Sequence, residues 1–247
     1  MRITLPGYAR ITSPRARGIA LDSCRSALES ILLNETLYDY ATRQPDARKF
    51  RGRATVYAVE LPDGCGSAVV RRSMRGGWLA GLNTDLFLPP TRGLRELIAS
   101  LRLRSAGIAT PEIVAFLVYP AGSILRRGDV LTREVYGEDL GSVLSGSESS
   151  EKRSAAMEFA AILVASLSRA GVHHADLNLR NILISSEAAY ILDIDRVRFH
   201  VPGDPIVLRA NIERLQRSLR KRRDLDGLPI DEGEIVALGA RAMELAQ

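Results

Sequence analysis

Asp176, Asn181 and Asp193 are the residues of this 247-residue chain whose types and spacing suit chemistry. They fall in "GVHHADLNLRNILI" (171–184) and "ILDIDR" (191–196), polar clusters set against apolar flanks. Phosphoryl transfer needs a carboxylate that orients an attacking hydroxyl and accepts its proton. It also needs hard oxygen ligands for the Mg²⁺ that accompanies nucleotide phosphates. An Asp, an Asn five residues on and a second Asp after the next hairpin supply that set. Taken singly, each has a plainer use as a turn former or helix cap.

To converge, these groups have to sit at the ends of paired strands. "HHADLNLRN" reads as a loop entering the short strand "ILI", with "AYILDID" returning beside it. Ahead of them, "EKRSAAMEFAAILVASLSRAG" predicts a helix with Met157, Phe159, Ile162, Leu163 and Leu167 on one face, ending at Gly171. Further upstream, "FRGRATVYAVELPDGCGSAVVRRS" alternates about the turn signal "PDG" and predicts a β-hairpin. "TRGLRELIASLRLRSAG" predicts a helix with Leu94, Leu97, Ile98 and Leu101 inward and Gly107 as its stop. "PEIVAFLVY" and "DVLTREVYG" predict two more strands, and "GSVLSGSESS" a link to the helical half. Residues 1–48 show no regular pattern.

Composition sets the bounds. A chain of 247 residues, 46% hydrophobic, can bury a sizeable core as one bilobed domain or two small ones. Cys24 and Cys65 match no metal-ligand spacing, so no disulfide framework is expected and a reducing, cytosolic home is. "MRITLPGYAR" lacks a signal-peptide core, and the run "AAILVA" is far short of a membrane span, so any membrane contact is peripheral. A net charge of +5 and a pI near 9.5 call for an anionic partner: nucleic acid, phospholipid or a phosphorylated substrate. In "LRANIERLQRSLRKRRD" an apolar stripe of Leu208, Ile212, Leu215 and Leu219 leaves Arg214, Arg217, Arg220 and Lys221 on other faces, as a solvated face or an anion-contact surface. Aromatics at 5% and none interleaved there argue against nucleic acid.

The segment His174-Ala175-Asp176-Leu177-Asn178, followed by Asn181-Ile182-Leu183 and later Asp193-Ile194-Asp195, resembles the 3-deoxy-D-manno-octulosonic acid (Kdo) kinase family. This is the lipopolysaccharide core kinase branch of the protein-kinase-like fold. "GRATVYAVE", "VVRRSMRGG", "LRELIASLRLRSAGIATPE" and "NIERLQRSLRK" extend the resemblance in order over roughly residues 50 to 223. It implies an α+β bilobed fold, with an N-lobe of small antiparallel sheet and one helix (1–130) and a mainly helical C-lobe (131–247). It implies ATP and Mg²⁺, with Asp176 as catalytic base and Asn181 and Asp193 as metal ligands. Glu96 then pairs with the basic residue that reaches the nucleotide phosphates. Lys49, Lys152 and Lys221 all lie off the second hairpin strand, so that residue is Arg71, with Arg72 on the opposite face. Gly52 lies in the phosphate-covering loop, and backbone groups of Glu134 and Tyr136 receive adenine. His174 holds the loop. Asn178 stands where protein kinases carry lysine, no Ala-Pro-Glu follows Asp193, and Ile194-Asp195 replaces Phe-Gly, which argue against a protein substrate and a phosphorylation switch.

The implied partner is a lipid-linked sugar acceptor, a Kdo hydroxyl on lipid A, met at an anionic lipid surface on the cytoplasmic face of the inner membrane. The alternatives are a core heptose, another sugar or a small alcohol as acceptor, or a catalytically weak nucleotide- or lipid-A-binding module.

Overall fold

The alternating residues about Pro62-Asp63-Gly64 form the expected hairpin. In the computed structural model, β4 (Thr55–Leu61) and β5 (Gly66–Arg72) pair antiparallel, with Tyr57 opposite Val70 and Leu61 opposite Gly66. The described residues are 5–51, 55–73, 93–122, 125–146 and 149–247. They group into two compact units: Met1–Leu97 with Glu112–Glu134, and Ile98–Pro111 with Val135–Gln247.

The first unit carries the hairpin in a wholly antiparallel sheet of seven strands. Its other members are β1 (Tyr8–Thr12), β2 (Arg17–Leu21), β3 (Arg48–Arg51), β6 (Ile113–Ala121) and β7 (Leu125–Arg133), in the order β1-β2-β6-β7-β5-β4-β3. Two helices, α1 (Arg25–Leu32) and α2 (Leu37–Arg43), join Ile11, Val59, Leu61, Ala68, Val70 and Leu117 in one core. Residues 8–43 are therefore regular, which corrects the expectation that 1–48 would be irregular. These strands and helices run five to eight residues, too short for periodicity to announce them or for the helices to stand alone. They form because the sheet gives their apolar faces a surface.

A second correction concerns the cysteines. Cys24 and Cys65 are joined in a disulfide with Cα atoms 5.4 Å apart. The residue before α1 and the β4–β5 turn meet only in the fold, so a search for local spacing motifs passes over the pair. Asp129 on β7 is fully buried beneath α2, accepting from the Tyr38 N–H at 3.1 Å and from Arg72 Nε at 3.4 Å.

The helix α3 (Gly93–Ser105) buries Glu96, Leu97, Ser100 and Leu103, while Ile98 is 36% exposed, so its inward face is turned from the expected one. A Cβ at Gly93 would lie 1.9 Å from the Phe116 ring, and only glycine permits that approach.

The second unit is built on α5 (Ser150–Arg169), with Ala156, Ala160, Leu163, Val164 and Leu167 buried. Leu163 and Leu167 lie inward as expected, whereas Ile162 is 40% exposed and the small Ala156 and Ala160 share the packing face. Around α5 pack α4 (Leu140–Ser145), α6 (Pro205–Asp226) and α7 (Glu232–Leu245). Two small antiparallel sheets complete the unit. One orders β11 (Ala189–Ile191), β10 (Ile182–Ile184) and β8 (Glu138–Asp139); the other pairs β12 (Val197–Phe199) with β9 (Val172–His174). Ile182 stands opposite Ile191, as the returning-strand expectation required. No helix among the described residues is long and apolar enough to cross a membrane.

Candidate active site

In the second unit, β9 ends at His174 and a single short 3-10 turn, Leu179–Asn181, leads into β10. The loop between them is closed by side chains. Asn178 Nδ2 and Asn181 Nδ2 both donate to the Asp176 carbonyl at 2.9 Å, and Asn178 Oδ1 accepts from the Arg180 N–H at 3.0 Å. Asn178 is thus a turn-holder. Asn181 gives its nitrogen to this bond, which leaves its amide oxygen for another partner.

His174 joins this loop to the segment carrying Asp193. Its Nδ1 accepts from the Asp176 N–H at 3.2 Å, and its Nε2 meets the Leu192 carbonyl at 3.1 Å, which fixes the neutral tautomer with Nε2 as donor. Burial pushes the imidazole below its usual range, against the pull of the Leu192 carbonyl, Asp193 and Asp176. The Leu192 N–H in turn donates to the Asn181 carbonyl at 2.8 Å. Asp176, Asn181 and the residue preceding Asp193 are therefore tied into one hydrogen-bonded unit. Asp193 is exposed and holds left-handed backbone, φ 53 and ψ 49, uncommon for a residue with a side chain.

On α6, sequence reasoning passed over Asn211 and read Arg214 only as part of the basic surface. Asn211, wholly buried, accepts from the His174 N–H at 3.1 Å and donates to the Val172 carbonyl at 2.8 Å. One turn on, Arg214 donates to Asp176 Oδ1 at 2.6 Å. The only signal was their spacing, Asn211 and Arg214 flanking Ile212 and Leu215 of the apolar stripe. The basic surface expected on this helix also divides. Arg220 and Arg223 pair with Glu232, whose carboxyl they hold down to about 2, and Arg222 pairs with Asp226. Arg209, Arg217 and Lys221 stay exposed, with no ion pair among the described residues.

In the first unit, Arg71 stands opposite Val130 and donates to Glu96, whose side chain is 7% exposed. A solvated helix carboxylate would have been the plainer outcome. Arg72 points to the other face, toward Asp129 and the Tyr38 ring. Glu134 follows β7; its carboxylate accepts from Ser67 Oγ at 2.6 Å and from Arg48, and its N–H donates to the Ser67 carbonyl at 3.1 Å. Its side chain is thus built into the sheet, where sequence reasoning had assigned only its backbone. Tyr136, in the second unit, is 67% exposed. Gly52 lies outside the described residues.

A protein-family model described as Lipopolysaccharide kinase (Kdo/WaaP) family matches residues 43–229. The chain is 31% identical over 181 residues to a 3-deoxy-D-manno-octulosonic acid kinase of Vibrio vulnificus (strain CMCP6), covering 70% of this chain and 72% of that one. A protein of the same name from Xanthomonas axonopodis pv. citri (strain 306) is 33% identical over 175 residues, covering 70% and 68%. A solved structure described as WaaP in complex with acyl carrier protein superposes with a TM-score of 0.44 at 18% identity, over 86% of this chain and 94% of that one.

Proposed function

The chain belongs to the lipopolysaccharide kinase (Kdo/WaaP) family and is a phosphotransferase, and from that premise we propose that it phosphorylates a hydroxyl of Kdo on lipid A, using ATP and Mg²⁺. The observation that carries the reading is the hydrogen-bonded unit joining Asp176 and Asn181, through His174, to the strand end before Asp193. Asp176 accepts the proton of the acceptor hydroxyl as its oxygen bonds the γ-phosphorus and ADP departs. Asn181 and Asp193 offer an amide oxygen and a carboxylate, hard donors of the kind Mg²⁺ takes beside phosphate oxygens. When bound, the ion neutralises charge on the transferring phosphates. Arg71 grips the α- and β-phosphates with Glu96 orienting it, and the backbone of Glu134 and Tyr136 receives adenine.

The charge pattern supports a lipid-anchored anionic acceptor. After its internal pairs are formed, α6 still presents Arg209, Arg217 and Lys221, and each cation near an anionic leaflet adds about 1 kcal/mol of attraction. ATP as phosphoryl donor favours the cytoplasmic face of the membrane. The disulfide runs against it, since such bonds are rare in a reducing compartment.

The test supplies labelled ATP with, separately, Kdo-bearing lipid A precursor, heptose-bearing core, free Kdo and a generic protein. Label on the Kdo-bearing lipid, less on free Kdo and none on protein is expected. Label on heptose alone would replace Kdo as the acceptor, and nucleotide binding without any transfer would make the chain a binding module.

A further inference from the structure

We propose that Arg214 is a positioning residue for the transfer, one that fixes the Asp176 carboxylate by a single oxygen and leaves the other for the acceptor. The inference rests on the phosphotransfer reading above. Among the described residues Arg214 is the sole hydrogen-bond partner of that carboxylate: Oδ1 accepts from its Nη2 at 2.6 Å, and the remaining Asp176 contacts use backbone atoms. The guanidinium is itself placed by a fixed helix. Asn211, one turn earlier and fully buried, binds the N–H of His174 and the carbonyl of Val172, so α6 holds the strand leading into the loop and the carboxylate after it with two side chains three residues apart.

The two ends differ in exposure. Asn211 is sealed in the core, whereas the Arg214 and Asp176 side chains are 37% and 30% exposed, open enough to meet a substrate. A carboxylate at a half-open site would otherwise rotate about its own axis. A base held by one oxygen keeps a constant direction toward the hydroxyl, and small misplacements of a reacting group cost on the order of 100-fold in rate. A lysine at 214 keeps the charge but lacks the planar fork that sets direction.

Arg214→Ala and Arg214→Lys are to be assayed beside Asp176→Asn with labelled ATP and the Kdo-bearing acceptor. Arg214→Ala is expected to lose about 10- to 100-fold in kcat while both KM values stay within about threefold, with Arg214→Lys intermediate and added guanidinium restoring part of the alanine variant's rate. If the alanine variant does not fold, the lysine variant carries the test through the same split between kcat and KM. A wild-type kcat in a folded variant would overturn the proposal, as would a rise in acceptor KM alone, which is the mark of a residue that binds acceptor. The control separates the levels: Asp176→Asn inactive with Arg214→Ala fully active defeats only this inference, whereas an active Asp176→Asn defeats the underlying reading too.

Discussion

A left-handed backbone at Asp193 costs roughly 1 kcal/mol for a residue bearing a Cβ, and the strand end and His174 bond on its N-terminal side help maintain it. Strain retained at an exposed carboxylate is what a ligand-holding position would show. Asp193→Asn should therefore fold but lose Mg²⁺-dependent ATP binding, because beside the Asn181 amide it removes the carboxylate charge from the pair of donors. Unchanged Mg·ATP affinity by calorimetry would remove the residue from the site. Asp176→Asn should lose about 10²- to 10⁴-fold in kcat with a normal circular dichroism spectrum. His174 gives a separate reading through stability. Burial depresses its folded pKa, so below 6.5 the unfolded chain takes the proton more readily than the folded one. Its contribution is whole above that value and fades as pH falls through 6.5 toward the folded pKa. The urea midpoint should drop on acidification more steeply in wild type than in His174→Gln; parallel profiles would mean His173, also depressed by burial, or other groups set the trend. The loop residues were legible because one short segment carries most of them. Arg214 was not, since the contact joins residues 38 apart and nothing local marks it.

At the scale of elements, strand alternation was the readable signal and helix faces were readable only in part: the α6 stripe of Ile212, Leu215 and Leu219 is buried as expected, whereas α3 and α5 are partly turned. Placing Arg71 and Arg72 on opposite faces of β5 needs only the two-residue period, and the structure sends one to Glu96 and the other to Asp129. For α3 and α5, counting large apolar residues chose Ile98 and Ile162, yet the buried faces contain Ser100, Ala156 and Ala160, small side chains that let neighbours approach. The opening elements escaped because each is stable only in place. The Cys24–Cys65 bond tethers this opening segment to the β4–β5 turn across a separation of 41 residues, worth about 4 kcal/mol by the chain-entropy account. Reduction, or Cys24→Ser with Cys65→Ser, should lower the urea midpoint and speed amide exchange in α1 and α2, leaving β10 and β11 protected. Exchange that accelerates equally in both units would show that the bond's effect is not confined to the first.

For the whole molecule, the +5 charge read from composition turns out to be unevenly used. Most of the arginines on α6 are engaged with Asp176, Asp224, Asp226 and Glu232, so the net charge overstates what that helix offers a partner. Composition could show an excess of cations but not which of them have internal partners, because pairing depends on where α7 presents Glu232. Arg209, Arg217 and Lys221 remain, exposed and without an ion pair among the described residues. If they draw the enzyme to an anionic leaflet, Arg217→Ala with Lys221→Ala should weaken sedimentation with phosphatidylglycerol vesicles by about 10-fold or more, the effect of two charges at about 1 kcal/mol each. Neutral vesicles should show no difference. Raised salt should shrink the gap between wild type and the double variant, since charges at a water-exposed surface are screened beyond about 8 Å at physiological ionic strength. Activity on free Kdo should be unaffected by the double substitution, while activity on the lipid-anchored acceptor falls with vesicle binding. Equal losses on both acceptors would instead place these two cations in the sugar-binding surface itself.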